Sequence, residues 1–363
     1  MPARPSSRWP LVSLALAFPF LALAPSTGRS QEPGQGQGAD FREARRGDVP
    51  ESVAGQITPE TDRAIQVALD WLGRQGNSDG SFGRGDVPIA VTSLGGLALM
   101  SSGSTPGRGP HGPRIDQALQ YILDNTGPSG FINVAGAGSQ GPMYGHGFAT
   151  LFLAEAYGMT RRPEIRDKLE KAVRLIIDTQ NQEGGWRYQP VRRDADLSVT
   201  ICQINALRAA RNAGLFVPRE TVDACIKYVK LSQNPDGGFR YQVRGGPSAF
   251  PRSAAGVVAL FSAGEYETKE VDNGIAYLHQ SAPGRRFPSR DRYFFYGHYY
   301  AIQAMWVRGG DDWDRWFPAI RDDLLARQNA DGSWSDDYGS EFGTAMALII
   351  LQVPNSYLPI FQR

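Results

Sequence analysis

The stretch RQNADGSW, residues 327–334, places an amide, an acid, a glycine and a large aromatic where an amphipathic helix runs out. The same text recurs as RQGNSDGSF from Arg74, TQNQEGGW from Thr179 and SQNPDGGF from Ser232. An apolar stripe precedes each copy: Ile65, Ala68, Leu69 and Leu72; Leu169, Ala172, Val173 and Ile176; Val222, Cys225, Ile226 and Val229. The last copy has the sparser Phe317, Ile320 and Leu324. Residues three and four apart share one helix face, so each stripe predicts an amphipathic helix. Asp-Gly or Glu-Gly then stops the helix and turns the chain. Gln is expected to bond loose backbone groups at the helix end, and the aromatic to pack back on the turn.

Two further copies keep the stripe and lose the text. Ile115, Ala118, Leu119 and Ile122 lead to Phe131, and Val271, Gly274, Ile275 and Leu278 lead to Phe287. The aromatics Phe82, Phe131, Trp186, Phe239, Phe287 and Trp334 therefore recur about every 50 residues, the mark of a repeat architecture. After each comes a second helix that is apolar nearly all round, such as IAVTSLGGLALM from Ile89 or TAMALIILQV from Thr344. A helix without a polar face is buried on all sides. An open stack would need polar end repeats, and the first and last inner helices are as apolar as the middle ones. The predicted fold is all-α, an α6/α6 toroid of two concentric rings of six helices.

The motif text resembles the QW-type repeats of the prenyltransferase and squalene-oxidosqualene cyclase superfamily, from about Ile57 to Leu351. The resemblance implies a barrel with an aromatic-lined central cavity for polyisoprenoid chains. Full-length squalene cyclases carry two such barrels, and this chain has length for one.

Composition sets the surroundings. Of 363 residues, 41% are hydrophobic and 21% charged, with a formal net charge of +1, which gives no electrostatic reason to expect nucleic acid. Arg4 and Arg8 precede the apolar run Leu11–Ala24, which is short for a membrane span and is broken by Pro19. The expected organisation is a signal peptide over 1–30, a polar Gly-rich linker over 31–56 and the toroid over 57–363. The protein is then secreted or held in the periplasm or cell envelope, with no integral membrane span once the leader is removed. Cys202 and Cys225 both fall on helical stripes and read as buried thiols.

Residues just before each inner helix ring one mouth of the barrel. RRDADLSVT, with Asp194 and Asp196, resembles the Asp-x-Asp-Asp-Thr motif of class II terpenoid cyclases. The resemblance gives Asp196 the role of the middle acid, which protonates an alkene or epoxide, with Asp194 beside it. Leu197 and Ser198 stand where that motif has its third acid and its Thr. Asp is also a favoured N-cap, so the same residue suits the plain task of starting its helix. YGHGF at Tyr144–Phe148 and YGHYY at Tyr296–Tyr300 lie in units two and five, opposite each other in a ring of six. Tyr144, His146, Tyr296 and His298 are the candidate substrate-binding groups.

A protein prenyltransferase would need a zinc triad. Asp223 and Cys225 have a ligand-like spacing but belong to an outer helix, so neither metal nor cofactor is expected. The expected partner is an apolar small molecule or lipid. Three functions follow: a cyclase- or isomerase-like enzyme, a non-catalytic binding or scaffold toroid, or a carbohydrate hydrolase or lyase pairing Asp194 or Asp196 with Asp336, Asp337 or Glu341 across the ring.

Overall fold

Thr58 shows how an outer helix begins. Its hydroxyl accepts the Thr61 N–H at 3.2 Å, Pro59 fills the first helical position, and Glu60 and Asp62 face the positive helix end. The computed structural model describes residues 55–83, 85–134, 141–281 and 293–362. Contacts divide the chain into Met1–Asp40, which lies outside those residues, and Phe41–Arg363, the unit treated below. The expected leader, all but the end of the expected linker, and Phe287 lie outside the described residues.

The described residues form twelve α-helices and no β-strand. In chain order they are α1 Pro59–Arg74, α2 Pro88–Met100, α3 Gly112–Asp124, α4 Pro142–Tyr157, α5 Pro163–Thr179 and α6 Leu197–Asn212. The second half continues with α7 Arg219–Leu231, α8 Phe250–Ala263, α9 Lys269–Ser281, α10 Phe294–Arg308, α11 Gly310–Arg327 and α12 Ser340–Gln352. Odd-numbered helices bury one stripe, in α5 Ile165, Leu169, Ala172, Val173 and Ile176. Even-numbered helices are buried on every side, as α2 is from Ile89 to Met100 and α12 from Phe342 to Gln352.

The inner helices pack in sequence, α2 on α4 and so on to α12, and α12 packs back on α2. The ring is closed, an α/α toroid. Gln352 Nε2 donates to the Ala98 carbonyl at 3.1 Å across the inner seam. In the outer layer Gln328 Nε2 reaches the Ala64 carbonyl at 3.0 Å, and Trp71 Nε1 reaches Asp331 Oδ2 at 3.1 Å. At the far end of the ring the 3-10 turn Pro359–Phe361 packs on α6, and its Ile360 N–H donates to the buried Glu155 carboxyl at 3.4 Å.

The repeated motif is explained bond by bond. Its aspartate accepts the N–H two residues on, as Asp331 does from Ser333 at 3.0 Å, and in the Glu183 copy Asn181 Oδ1 accepts that N–H instead, which closes the turn. Its Gln joins units: Gln180 Nε2 donates to Gly184 O at 2.8 Å in its own turn and to Thr221 O at 2.9 Å in the next outer helix, α7. Gln233 does the same to Gly237 O and to Glu270 O of α9. Gln thus stitches neighbouring outer helices instead of capping its own. Gly184 has φ 98°, and a Cβ there would lie 2.1 Å from Ala224 O, so the turn sits directly on the α7 backbone and only glycine fits.

The aromatic links the two layers. Trp186 Nε1 donates to Ile176 O at 2.7 Å in α5, and its backbone N–H donates to Thr200 Oγ1 at 3.1 Å in α6. Trp334 repeats this with Leu324 O and Thr344 Oγ1. Both rings are buried.

Unit two departs from the expected register. Phe131 is half-buried, whereas Ile132 is wholly buried and makes the backbone bond of the motif aromatic, its N–H donating to His146 Nδ1 at 3.2 Å. Gly130 takes the place of the motif glycine, with φ 85°. Phe131 therefore occupies the small-residue position, and Ile132 fills the slot that Trp186 fills in unit three. Cys202 and Cys225 are free and buried.

Candidate active site

Asp196 is the N-cap of α6. Its Oδ1 accepts the Val199 N–H at 2.9 Å, while its own N–H donates to Trp186 O at 2.9 Å. Capping and burial coincide, although a capping acid is usually solvated. The loop before α8 folds over it: Leu197 N–H donates to Tyr241 O at 3.0 Å, and Gln242 Nε2 donates to Ala195 O at 3.2 Å. The carboxyl is left with no exposed surface, and Oδ2 has no hydrogen-bond partner among the described residues. Burial pushes the acid up to about 6, against the opposing pull of the Val199 N–H, the Tyr241 hydroxyl and the Arg187 guanidinium.

Arg187 lies 3.9 Å from Asp196 Oδ2, but its guanidinium is engaged by Asp194, which is itself half-exposed. Asp194 therefore holds Arg187 and leaves Asp196 only loosely compensated.

Tyrosines surround this carboxyl. The Tyr188 and Tyr241 hydroxyls bond each other, and the Tyr144 and Tyr188 rings lie 6.2 Å apart. Tyr296 donates to Ser198 O at 3.0 Å, and the Tyr300 hydroxyl meets Cys202 Sγ at 3.3 Å. Burial raises Tyr144 and Tyr296 well above the ordinary phenol range, and negative charge at Asp196 raises both further. Neutral phenols beside a carboxyl that titrates near 6 make a site able to give a proton and face a cation.

The two histidines stand elsewhere. His146 accepts the Ile132 N–H, lies 5.6 Å from the Phe131 ring and faces Ala172 of α5, so it points to the outer layer. It holds the place of Thr92, Thr200, Ser253 and Thr344, which accept the motif aromatic's N–H in units one, three, four and six. Burial drops its ring to about 4, so it is neutral at ordinary pH. His298 packs among Phe250, Phe294 and Trp316 of α11, and burial, then Arg327, lowers it to about 3. Both rings serve the join between layers, whereas Tyr144 and Tyr296 reach the mouth.

Arg187, Tyr188 and Tyr241 escaped the sequence reading. Their signal was present: the motif aromatics of units three and four are each followed by Arg-Tyr, in GGWRY and GGFRY. Among the described residues no group of three or more His, Cys, Asp or Glu is placed to hold a metal, and no helix is long and apolar enough to cross a membrane.

No family model matches the chain. A drimenyl diphosphate synthase from Streptantibioticus cattleyicolor is 35% identical over 103 residues, 28% of this chain and 19% of that protein. One from Streptomyces showdoensis is 26% identical over 190 residues, 51% of this chain and 34% of that protein. The matches thus span 19% and 34% of the length of these relatives. Among solved structures, a variant of the type II terpene cyclase MstE from Scytonema, in complex with geranylgeranyl dihydroxybenzoate, superposes with a TM-score of 0.59 at 15% identity, covering 85% of this chain and 99% of that one. An inactive variant of the α-1,6-mannanase GH76A of Salegentibacter sp. HEL1_6, in complex with α-1,6-mannotriose, gives 0.60 at 10% identity, covering 81% and 99%. The fold is that of the terpenoid cyclase α/α toroids, shared with this glycosidase.

Proposed function

We propose that this chain is a type II terpene cyclase-like toroid that binds an apolar, isoprenoid-like ligand at the ring mouth and rearranges it by acid catalysis. Asp196 is the proton donor. The observation that carries this reading is its buried carboxyl, tied through one oxygen to the Val199 N–H and without a hydrogen bond at the other, which lies 3.9 Å from Arg187 Nε.

The chemistry follows from that geometry. Protonated Asp196 delivers its proton from Oδ2 to one carbon of a double bond, leaving a cation on the neighbouring carbon. The Val199 N–H and Arg187 stabilise the carboxylate that forms. Tyr144 and Tyr296 offer ring faces to the cation. Loss of a proton from an adjacent carbon completes the rearrangement and restores the acid. The donor must be protonated, so turnover falls about tenfold per pH unit above its titration near 6.

Asp196→Asn tests the assignment. Asn keeps a good N-cap, so folding is retained. An amide cannot deliver the proton, so turnover should fall by roughly 10²–10⁴-fold. Lipid extraction of the purified protein with mass spectrometry identifies the ligand, and an extract free of isoprenoids, with Asp196→Asn as active as wild type on every one tried, overturns the reading.

A non-catalytic binding toroid is the second reading. One observation favours it: Phe148 of α4 and Tyr299 of α10 meet across the ring with centroids 6.1 Å apart. A glycosidase-like reading shares the toroid with the mannanase; of its candidate carboxylates, Asp194 is engaged by Arg187 and Asp336 accepts the Tyr338 N–H inside its own turn. Export is part of the proposal and rests on the sequence of residues 1–30. N-terminal sequencing should find the mature chain starting between about Ala24 and Gln31.

A further inference from the structure

After α12 the chain runs through two 3-10 turns, Val353–Asn355 and Pro359–Phe361, and in doing so crosses the ring. Tyr357 lies against Gly103, just beyond α2. The Ile360 N–H donates to Glu155 Oε2 of α4, Pro359–Phe361 packs on α6, and Phe361 O accepts Trp306 Nε1 of α10 at 2.5 Å. Glu155 and Trp306 stand in the last turn of their helices, so this strap spans the end of the toroid away from Asp196. Leu358, Ile360 and Phe361 are buried beneath it. A cavity of about 10 Å³, room for about one water, remains where Ile360 and Phe361 meet Arg208, Gln303 and Trp306. The strap is laid on the ring and not woven into it.

Under the strap sits an acid that the proposed chemistry does not use. Glu155 is 3% exposed, and its one hydrogen bond among the described residues is the 3.4 Å contact with Ile360. Arg208 of α6 acts on it as a charge at a distance, with no ion pair between them. Tyr299 of α10 is the other titratable group set against it, and burial keeps that phenol neutral. The helix α2 has no titratable side chain, the outer helices α3 and α5 bury apolar stripes, and strap residues 353–362 carry no charge. Burial pushes the carboxyl from its ordinary 4.5 up to about 8, against the weaker pull of the Ile360 N–H and Arg208. With the strap docked, Glu155 is therefore protonated at neutral pH. With the strap lifted, it meets water and gives the proton up.

We propose that residues 353–362 are a proton-gated strap across the far end of the toroid, with Glu155 as the latch. The proposal is independent of the cyclase reading. The docked strap holds one proton more than the lifted strap. Docking is thus favoured in acid, weakens as pH rises from about 4.5 to about 8, and changes no further above that. Lifting uncovers the ends of α4, α6 and α10, on the side of the ring opposite the mouth.

Hydrogen exchange of the full chain from about pH 5 to about pH 9 tests the gate, with each amide rate divided by its intrinsic rate at that pH. Wild-type protection of the Ile360 and Phe361 amides should fall roughly 10²-fold between about pH 5 and about pH 8, then level off. Glu155→Gln keeps the shape and an acceptor oxygen but cannot ionise, so its strap should stay protected within about threefold over that range. Strap amides should also exchange faster than those of α7 at every pH, because the strap opens without the ring. Strap protection that is level in the wild type, or that falls equally in Glu155→Gln, overturns the latch. Strap amides as slow as those of α7 overturn the gate, because the strap then opens only when the whole toroid unfolds. Should Glu155→Gln fail to fold, the wild-type profile still decides: a level one overturns the proposal and a 10²-fold step in the strap alone supports it.

Discussion

The turn at Gln180–Trp186 and the mouth at Asp194–Val199 are a few residues apart in one repeat, yet they are built on opposite rules. In the turn polar atoms are used fully: Asn181 Oδ1 accepts the Glu183 and Gly185 N–H groups, and Gln180 Nε2 makes two bonds. The mouth leaves Asp196 Oδ2 without a hydrogen bond and shares one arginine between two acids. The turn recurs around the ring, whereas the Asp196 arrangement was found in unit three alone among the described residues. Satisfied and repeated groups are architecture, and the unrepeated, unsatisfied one is where the function proposed above puts its chemistry.

The largest expected effect breaks the turn. Trp186→Ala and Trp334→Ala each remove a buried ring that ties an outer to an inner helix, and each should cost roughly 3–5 kcal/mol. Near-wild-type melting of either would mean that the layers hold without it.

Next comes the mouth. Folding raises Asp196 from its ordinary value of 3.8 to about 6, so the unfolded chain releases this proton first. Wild-type stability relative to Asp196→Asn should therefore fall as pH climbs from about 4 to about 6 and stay flat above, by roughly 2–4 kcal/mol in all. Neutral His146 and His298 act the other way, losing stability as pH drops below about 6.5, which is why the difference between the two proteins is the quantity to measure. Parallel curves would remove the buried-acid description.

Gln328→Ala, at the seam of the ring, and Gln180→Ala, within it, should each cost about 1–2 kcal/mol by removing two amide hydrogen bonds. Urea midpoints compare them directly, and an unaffected seam variant would show that closure does not depend on this amide. Smallest of all, Tyr299→Phe should be neutral or stabilising by up to about 1 kcal/mol, because it deletes an unpartnered hydroxyl. A marked loss would reveal a bond that the static structure lacks.

The toroid was legible because helix periodicity and turn chemistry are local and were written several times over. Register failed where the text was missing. Phe131 and Ile132 are adjacent apolar residues, and only the bond to His146 says which one enters the core. His146 and His298 looked like chemistry because histidine is rare here. Comparison with Thr92, Thr200, Ser253 and Thr344 would have exposed the shared structural task of the first. Asp196 was half-read. Its capping role is local, but its burial comes from Tyr241 and Gln242 in the following unit, a contact that no nearby spacing encodes.

The clasp between the last turn and the first helix has a consequence for how the chain acquires its shape. Gln328 and Ala64 are 264 positions apart, and Trp71 and Asp331 are 260. On a ribosome the first helix pair emerges with one flank unpartnered and stays so until nearly the whole chain is made. That final docking carries a large entropic barrier, so maturation should be slow compared with an open array of the same helices. Once docked, the array has no first or last repeat to fray. Backbone amides in α1 should then exchange with solvent as slowly as those in α7, and the molecule should melt as a unit where a linear stack would peel from its ends.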